Sequence, residues 1–212
     1  MFPSQCRVTY KDKQMEQDKV NRSTLELIDA VRAIFEAEVT KDTEKAPRLK
    51  RVLALMQELR LDPDRPEAAQ LPGCRHLSRT LDLGEAGPAA AVASALRDLE
   101  PTLAWTQNPR YNAENMGADF MDNYAWSGLG VTGSEALAFG VLLLGPGITY
   151  PLTSYPSEGV FLVIGGSPEW KCGEEPWERV EAGDIICRPF GGAEGKRPGK
   201  EPMLALYAWM YQ

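Results

Sequence analysis

The stretch Gly140–Gly166, GVLLLGPGITYPLTSYPSEGVFLVIGG, constrains the fold more than any other part of the chain. It reads as strand, turn, strand, turn, strand, with the turns marked by Gly147, Pro151 and Pro156. The same texture runs from Trp105 to the end: NYAWSGLGV, ALAFGVLLLG, SPEWKC, GDIICRP and MLALYAWMY are short apolar runs separated by Gly, Pro, Asn and Asp. Many short strands at close spacing predict an all-β barrel or sandwich.

The first half has a different periodicity. Ser23-Thr-Leu-Glu26 fits a capping box, a hydroxyl at the N-cap and a carboxylate three residues later. Leu25, Ile28, Val31, Phe35 and Val39 follow at helical spacing, which predicts a helix over 24–39. A charged linker, 41–45, leads to a second helix over 47–59 with Leu49, Val52, Met56 and Leu59 on one face. Residues 71–84 read as a connecting loop. A third, alanine-rich helix begins near Pro88 and ends at Pro101. The predicted organisation is a mobile tail over residues 1–22, a helical layer over 23–104 and a β-barrel over 105–212.

Composition narrows the partners. A net charge of −7 argues against nucleic acid and anionic membranes and suits a small cationic or zwitterionic ligand. No apolar run approaches the roughly 20 residues of a membrane span, and the polar N-terminal residues lack the apolar core of a signal peptide, so a cytoplasmic location is expected. Cys6, Cys74, Cys172 and Cys187 form no CxxC pair and are expected as free thiols. His76 is the single histidine, so a multi-histidine metal site is excluded. The oligomeric state is open, a homodimer included.

The segment Gly183-Asp-Ile-Ile-Cys-Arg-Pro189-Phe-Gly191-Gly-Ala-Glu194 has the spacing of the second cupin motif, with Glu194 where that motif has a metal-binding histidine. Gly147 and Gly166 bracket the first motif. The run GPG-x-x-YP-x-x-x-x-P-x-E, then VFLVIGGSPEW, GGAEG and EPMLALYAW, resembles more narrowly the cupin-type dimethylsulfoniopropionate lyases. That resemblance covers roughly Asn108 to the C-terminus. It implies a mainly β fold: a cupin (double-stranded β-helix) barrel behind an N-terminal layer of about three α-helices.

The resemblance also implies a reaction and a site. The reaction is C–S β-elimination from a zwitterionic sulfonium carboxylate, giving dimethyl sulfide and acrylate. A divalent metal (Zn, Fe or Mn) holds the carboxylate and acidifies the α-proton. A tyrosine with its pKa lowered by the metal takes that proton. The two early histidines of the family fall on Thr149 and Thr153, the glutamate on Glu158, the later histidine on Glu194 and the tyrosine on Tyr155. The general cupin pattern would place the glutamate at Gly159 instead. Aromatic rings suited to a sulfonium cation are Tyr124, Trp126, Tyr150 and Trp170. Strand alternation independently places Thr149, Thr153 and Tyr155 on one face, where the threonines can hydrogen-bond a substrate. Threonine is a poor ligand for a borderline transition metal, whereas Glu158 and Glu194 would suit a harder cation. Two readings follow: a lyase with an oxygen-rich metal site in which Tyr155 is the base, or a metal-free cupin that binds a small molecule or a partner and catalyses nothing.

Overall fold

The computed structural model describes residues 10–212. Helix α1 spans Tyr10–Val39. The expected tail is therefore helical from Tyr10 onward, and its first nine residues lie outside the described residues. The capping-box reading of Ser23 fails for a physical reason. The residues upstream are good helix formers tied by i,i+4 bonds, Gln14 to Asp18 and Gln17 to Asn21 at 3.0 Å each. Ser23 and Thr24 thus sit in the helix interior, buried, and the Thr24 hydroxyl donates back to the Val20 carbonyl at 2.9 Å. The buried stripe is Val20, Leu27, Ile28, Val31 and Phe35, while Leu25 is exposed.

Helix α2, Ala46–Met56, is shorter than expected, because Arg60–Leu61 leaves it to form strand β1. The expected loop over 71–84 is a 3₁₀ turn, Pro72–His76, followed by helix α3, Leu77–Glu85. Its buried face is Leu77, Thr80, Leu81 and Gly84, a helical spacing hidden by the flanking Gly and Pro. Helix α4, Ala90–Leu99, is the expected alanine-rich helix. Two short helices, α5 (Ala113–Met116) and α6 (Ala118–Asn123), precede the first long-sheet strand.

Ten further strands follow: β2 (Tyr124–Gly128), β3 (Val131–Thr132), β4 (Leu137–Leu144), β5 (Tyr150–Ser154), β6 (Glu158–Gly165), β7 (Glu169–Cys172), β8 (Glu178–Arg179), β9 (Ile185–Arg188), β10 (Ala193–Arg197) and β11 (Met203–Met210). They form a five-stranded sheet, β2-β4-β11-β6-β9, a four-stranded sheet, β5-β10-β7-β8, and the small pair β1-β3. The two larger sheets are not hydrogen-bonded into one closed ring, so the expected barrel is a pair of separately bonded sheets.

The five-stranded sheet is buried on both faces. Along β6, Val160, Leu162 and Ile164 belong to the same core as the helices, whereas Phe161 and Val163 belong to a second core. Along β11, Leu204, Leu206 and Ala208 join the helix-side core, and Ala205 and Tyr207 join the second. That is why GVFLVIGG and MLALYAWM are nearly continuous apolar runs rather than alternating ones. Two glycines allow α3 to approach this sheet. A Cβ on Gly165 would lie 2.0 Å from the Thr80 carbonyl oxygen, and one on Gly84 2.7 Å from the Ile164 carbonyl oxygen.

Two substitutions test this layer. Gly165→Ala should destabilise the chain by about 2 kcal/mol or more, because α3 must lift off the sheet. Ser23→Ala should change stability by less than about 0.5 kcal/mol, rather than the roughly 1 kcal/mol of a lost N-cap. Urea unfolding measures both.

Candidate functional site

The second core encloses a cavity of about 140 Å³. Its wall includes Tyr124 and Trp126 from β2, Tyr150 and Tyr155 from around β5, Phe161 from β6, Glu194 and Lys196 from β10, and Tyr207 and Trp209 from β11. Asn108 and Pro109 also line it.

Strand alternation alone misplaces part of this wall. In the β5–β10 pair, Thr153 faces Glu194 and Tyr150 faces Lys196, so three steps on β5 oppose two on β10. The bulge shifts the phase of β5. Tyr150 and Thr153 therefore share the inner face, and Thr149 lies on the exposed outer side. The expectation that Thr149 lines the site is overturned. Thr153 does lie opposite Glu194, and its hydroxyl donates to the Pro151 carbonyl at 3.0 Å.

Glu158 also departs from its expected role. It shares the parity of Val160 and Leu162, so it points to the helix side of β6, where Arg51 of α2 pairs with it at 2.8 Å. Gly159, the neighbouring position, faces the inner space, and a Cβ there would meet the Arg188 Nε and Nη2 atoms at 3.2 Å. Phe161, whose Cε2 would lie nearer still at 2.7 Å, and Arg188 together fill the room that this glycine leaves. Its Nη1 donates to the Ser157 carbonyl at 2.7 Å and its Nη2 to the Ser157 hydroxyl at 3.0 Å.

Glu194 is fully buried, and two cations oppose it: Lys196 Nζ at 2.9 Å and Arg188 Nε at 3.5 Å. Beyond these two ion pairs, the Glu194 oxygens and the Arg188 Nε have no further hydrogen-bond partner within the protein. The Lys196 ammonium also lies over three aromatic faces, 5.0 Å from the Tyr150 ring centre, 4.8 Å from Phe161 and 4.7 Å from Trp170. Each such contact is worth about 0.5–2 kcal/mol, more when desolvated. Burial holds the Lys196 pKa below that of an ordinary lysine, against the opposing pull of Glu194.

These donors do not fit a divalent ion. Thr149 faces outward, Glu158 is held by Arg51, and Glu194 is already opposed by two fixed cations beside which a metal would have to sit. Among the described residues, no three of His, Cys, Asp and Glu are grouped as a metal site. Cys187 is half-buried against the helix-side core, and burial pushes its thiol up to about 11. His76, expected in a loop, closes the 3₁₀ turn before α3, with Nε2 2.8 Å from the Asn123 side-chain oxygen.

Of the expected substrate-facing residues, Tyr124, Trp126 and Tyr150 line the cavity, while Trp170 lies behind them against Lys196. Tyr155 lines it too, stacked on Trp209 at 4.9 Å between ring centres. The Tyr155 and Tyr150 hydroxyls are 2.7 Å apart, and Tyr150 continues to Tyr111 at 3.2 Å. Burial is the main cause that raises the pKa of Tyr124, Tyr150 and Tyr155 above the ordinary phenol value. The general-base role expected of Tyr155 needs a metal beside it to lower its pKa, against the effect of burial. The Tyr111, Tyr150 and Tyr155 hydroxyls form one hydrogen-bonded chain.

Sequence reading missed Lys196, Arg188, Phe161, Tyr207, Trp209 and Tyr111. One signal pointed to Lys196: in a period-2 strand it shares the face of Glu194 two positions earlier.

Two apposed antiparallel sheets around a cavity agree with the expected cupin fold. The chain belongs to the dimethylsulfoniopropionate lyase family, whose profile matches residues 26–205. It is 31% identical over 103 residues to the dimethylsulfoniopropionate lyase DddQ of Ruegeria pomeroyi, covering 47% of this chain and 51% of that one. It is 30% identical over 160 residues to a putative dimethylsulfoniopropionate lyase, DddL, of Cereibacter sphaeroides, covering 69% of this chain and 62% of that one. The match thus spans about half the length of the first relative and under two thirds of the second. Among solved structures, the crystal structure of DddQ from Ruegeria pomeroyi superposes with a TM-score of 0.61 at 26% identity, over 83% of this chain and 89% of that one. A structure from a study of the lyases RdDddP and RnDddQII gives 0.74 at 23% identity, over 90% and 93%, a likeness of fold. No helix among the described residues is long and apolar enough to cross a membrane.

The two glutamates should separate in stability measurements. Glu194→Gln leaves two buried cations without a counter-charge and should cost about 3–5 kcal/mol. Glu158→Gln removes a pair whose arginine is half exposed and should cost about 1 kcal/mol or less. Chemical denaturation distinguishes them.

A spectroscopic titration tests the phenols. Tyr124, Tyr150, Tyr155 and Tyr207 all have folded pKa values above the unfolded one. Their contribution to stability is complete below the unfolded pKa of about 10 and declines as pH rises beyond it. Phenolate absorbance should therefore show these four silent in the native protein and released together on alkaline unfolding.

Proposed function

We propose that this member of the dimethylsulfoniopropionate lyase family is a small-molecule-binding cupin that carries out no metal-assisted C–S elimination. Of the two readings, this is the metal-free one, and the placement of the family's ligand positions carries it. The residue aligned with the first histidine is outside, the aligned glutamate is engaged by a helix arginine, and the residue aligned with the last histidine is neutralised by Lys196 and Arg188. Elimination also needs a base for the α-proton, and burial raises the pKa of Tyr155, the phenol that would serve, where a base role needs it lowered.

What the site offers is recognition. Aromatic walls supply apolar contact, and hydroxyls and one ammonium face a space suited to a small carboxylate or zwitterion. The relatives bear the name of a lyase; the fold they share with this chain does not by itself bring the activity with it. A cytoplasmic location accords with the free thiols of Cys74, Cys172 and Cys187.

The test is headspace detection of dimethyl sulfide after adding dimethylsulfoniopropionate to the purified full chain. It is run as isolated and after loading with Mn²⁺, Fe²⁺ or Zn²⁺, with metal content measured in parallel. The expected result is release no faster than in the protein-free control under every condition. Metal-dependent release, lost in Tyr155→Phe, would establish the lyase reading instead.

A further inference from the structure

The aromatic faces that would hold a cationic group in this site are already covered by a cation belonging to the chain. Tyr150, Phe161 and Trp170 all present their faces to the Lys196 ammonium within 5.0 Å. Two of these rings come from strands flanking β10 in its own sheet and one from the opposite sheet, so the ammonium is enclosed from both sides. Lys196 is 1% exposed, and besides these rings it borders the cavity.

The charges do not cancel. Lys196 and Arg188 are two buried cations opposed by one buried carboxylate, Glu194. A protonated Lys196 thus carries a charge that burial disfavours and that a counter-ion reaching it would stabilise. Glu194 is the single acidic group at the cavity wall, and the other polar groups there are donors or can act as donors. The indole N–H of Trp209 is buried without a partner, and an indole N–H can only donate. The hydroxyls of Tyr124, Tyr150, Tyr155 and Tyr207, the Trp126 indole and the Asn108 side chain complete the polar set. The cavity volume, about 140 Å³, is near that of a cavity known to hold a benzene-sized guest.

We propose that Lys196 is a resident cation that inverts the charge preference of the site: the pocket takes a small monocarboxylate with a short apolar tail and rejects quaternary ammonium and sulfonium cations. This deepens the binding reading above and rests on it. The carboxylate sits on the side of Lys196 away from Glu194, within reach of the Trp209 N–H and the Tyr155 hydroxyl, and the apolar tail lies against Tyr124, Leu142 and Tyr207.

The test is calorimetric or ligand-observed NMR binding of propionate, tetramethylammonium and dimethylsulfoniopropionate to the full chain at neutral pH. Propionate should bind, tetramethylammonium should not, and the zwitterion should bind more weakly than propionate. Lys196→Met, which empties the cage of charge but keeps its volume, should weaken propionate at least tenfold and let tetramethylammonium bind. Lys196→Gln, which keeps the Arg188–Glu194 pair and can still donate a hydrogen bond to Glu194, serves as a second arm should Lys196→Met fail to fold, with the same tenfold loss of propionate expected. Binding of tetramethylammonium or the zwitterion more tightly than propionate, no binding of any of the three, or unchanged propionate affinity in a folded Lys196 variant each overturns the proposal. Dimethyl sulfide release is a separate readout. A chain that releases it yet still prefers propionate refutes the inactive reading and leaves the charge inversion standing.

Discussion

The interior of this protein is arranged around a buried ionic cluster, Lys196, Glu194 and Arg188, set between two sheets that are otherwise apolar. Burying three charges is expensive, and mutual attraction offsets that cost only when each ion is held in place. The surroundings do the holding. Arg188 is fixed by the Ser157 carbonyl and hydroxyl, and Lys196 by Glu194 and three aromatic faces. Gly159 supplies the room, since any side chain there would meet the guanidinium. A glycine, an arginine, a glutamate and a lysine from three strands therefore form one unit, and a change at any of them is felt by the others.

The helical layer makes that unit possible. A sheet with one wet face would alternate polar and apolar residues and leave water within reach of the cluster. Here the helices cover the outer face of the five-stranded sheet, so both of its faces are dry. A dry interior strengthens every electrostatic interaction inside it. It raises the phenols and lowers the lysine by the same cause, removal of the charged form from water. The site is thus tuned by its scaffold as much as by the residues that line it.

Much of this was legible in the sequence. The apolar runs GVFLVIGG and MLALYAWM identified strands because both faces of those strands are buried, and the family motifs carried the fold and the inner placement of Tyr155 and Glu194. The failures have specific causes. Ser23 followed by Glu26 looks like a cap, but a cap requires the helix to begin there, and the good helix formers upstream carry α1 back to Tyr10. Residues 71–84 carry Gly and Pro at both ends, which masked the Leu77–Leu81 spacing of α3. Thr149 was placed inside by its aligned position, with strict alternation as a check that the bulge in β5 interrupts. Glu158 was read as a ligand from its aligned position, although one step along a strand reverses a side chain, and the inner face belongs to Gly159.

The lysine escaped notice for a more general reason. In a sequence, Glu194-Gly-Lys196 looks like a solvated charge pair in a loop, the commonest fate of such residues. Only the pairing of β10 with β5 and β7 shows that both side chains point into the space between the sheets, with Tyr150 and Trp170 directly opposite Lys196. Charge identity is readable from sequence, whereas the dielectric around a charge depends on tertiary pairing. The difference between an exposed ion pair worth about 1 kcal/mol or less and a buried one that sets the polarity of a cavity lies entirely in that second quantity. A family resemblance preserves the scaffold that creates the dry interior, and the charges at two strand positions on one face set the field inside it.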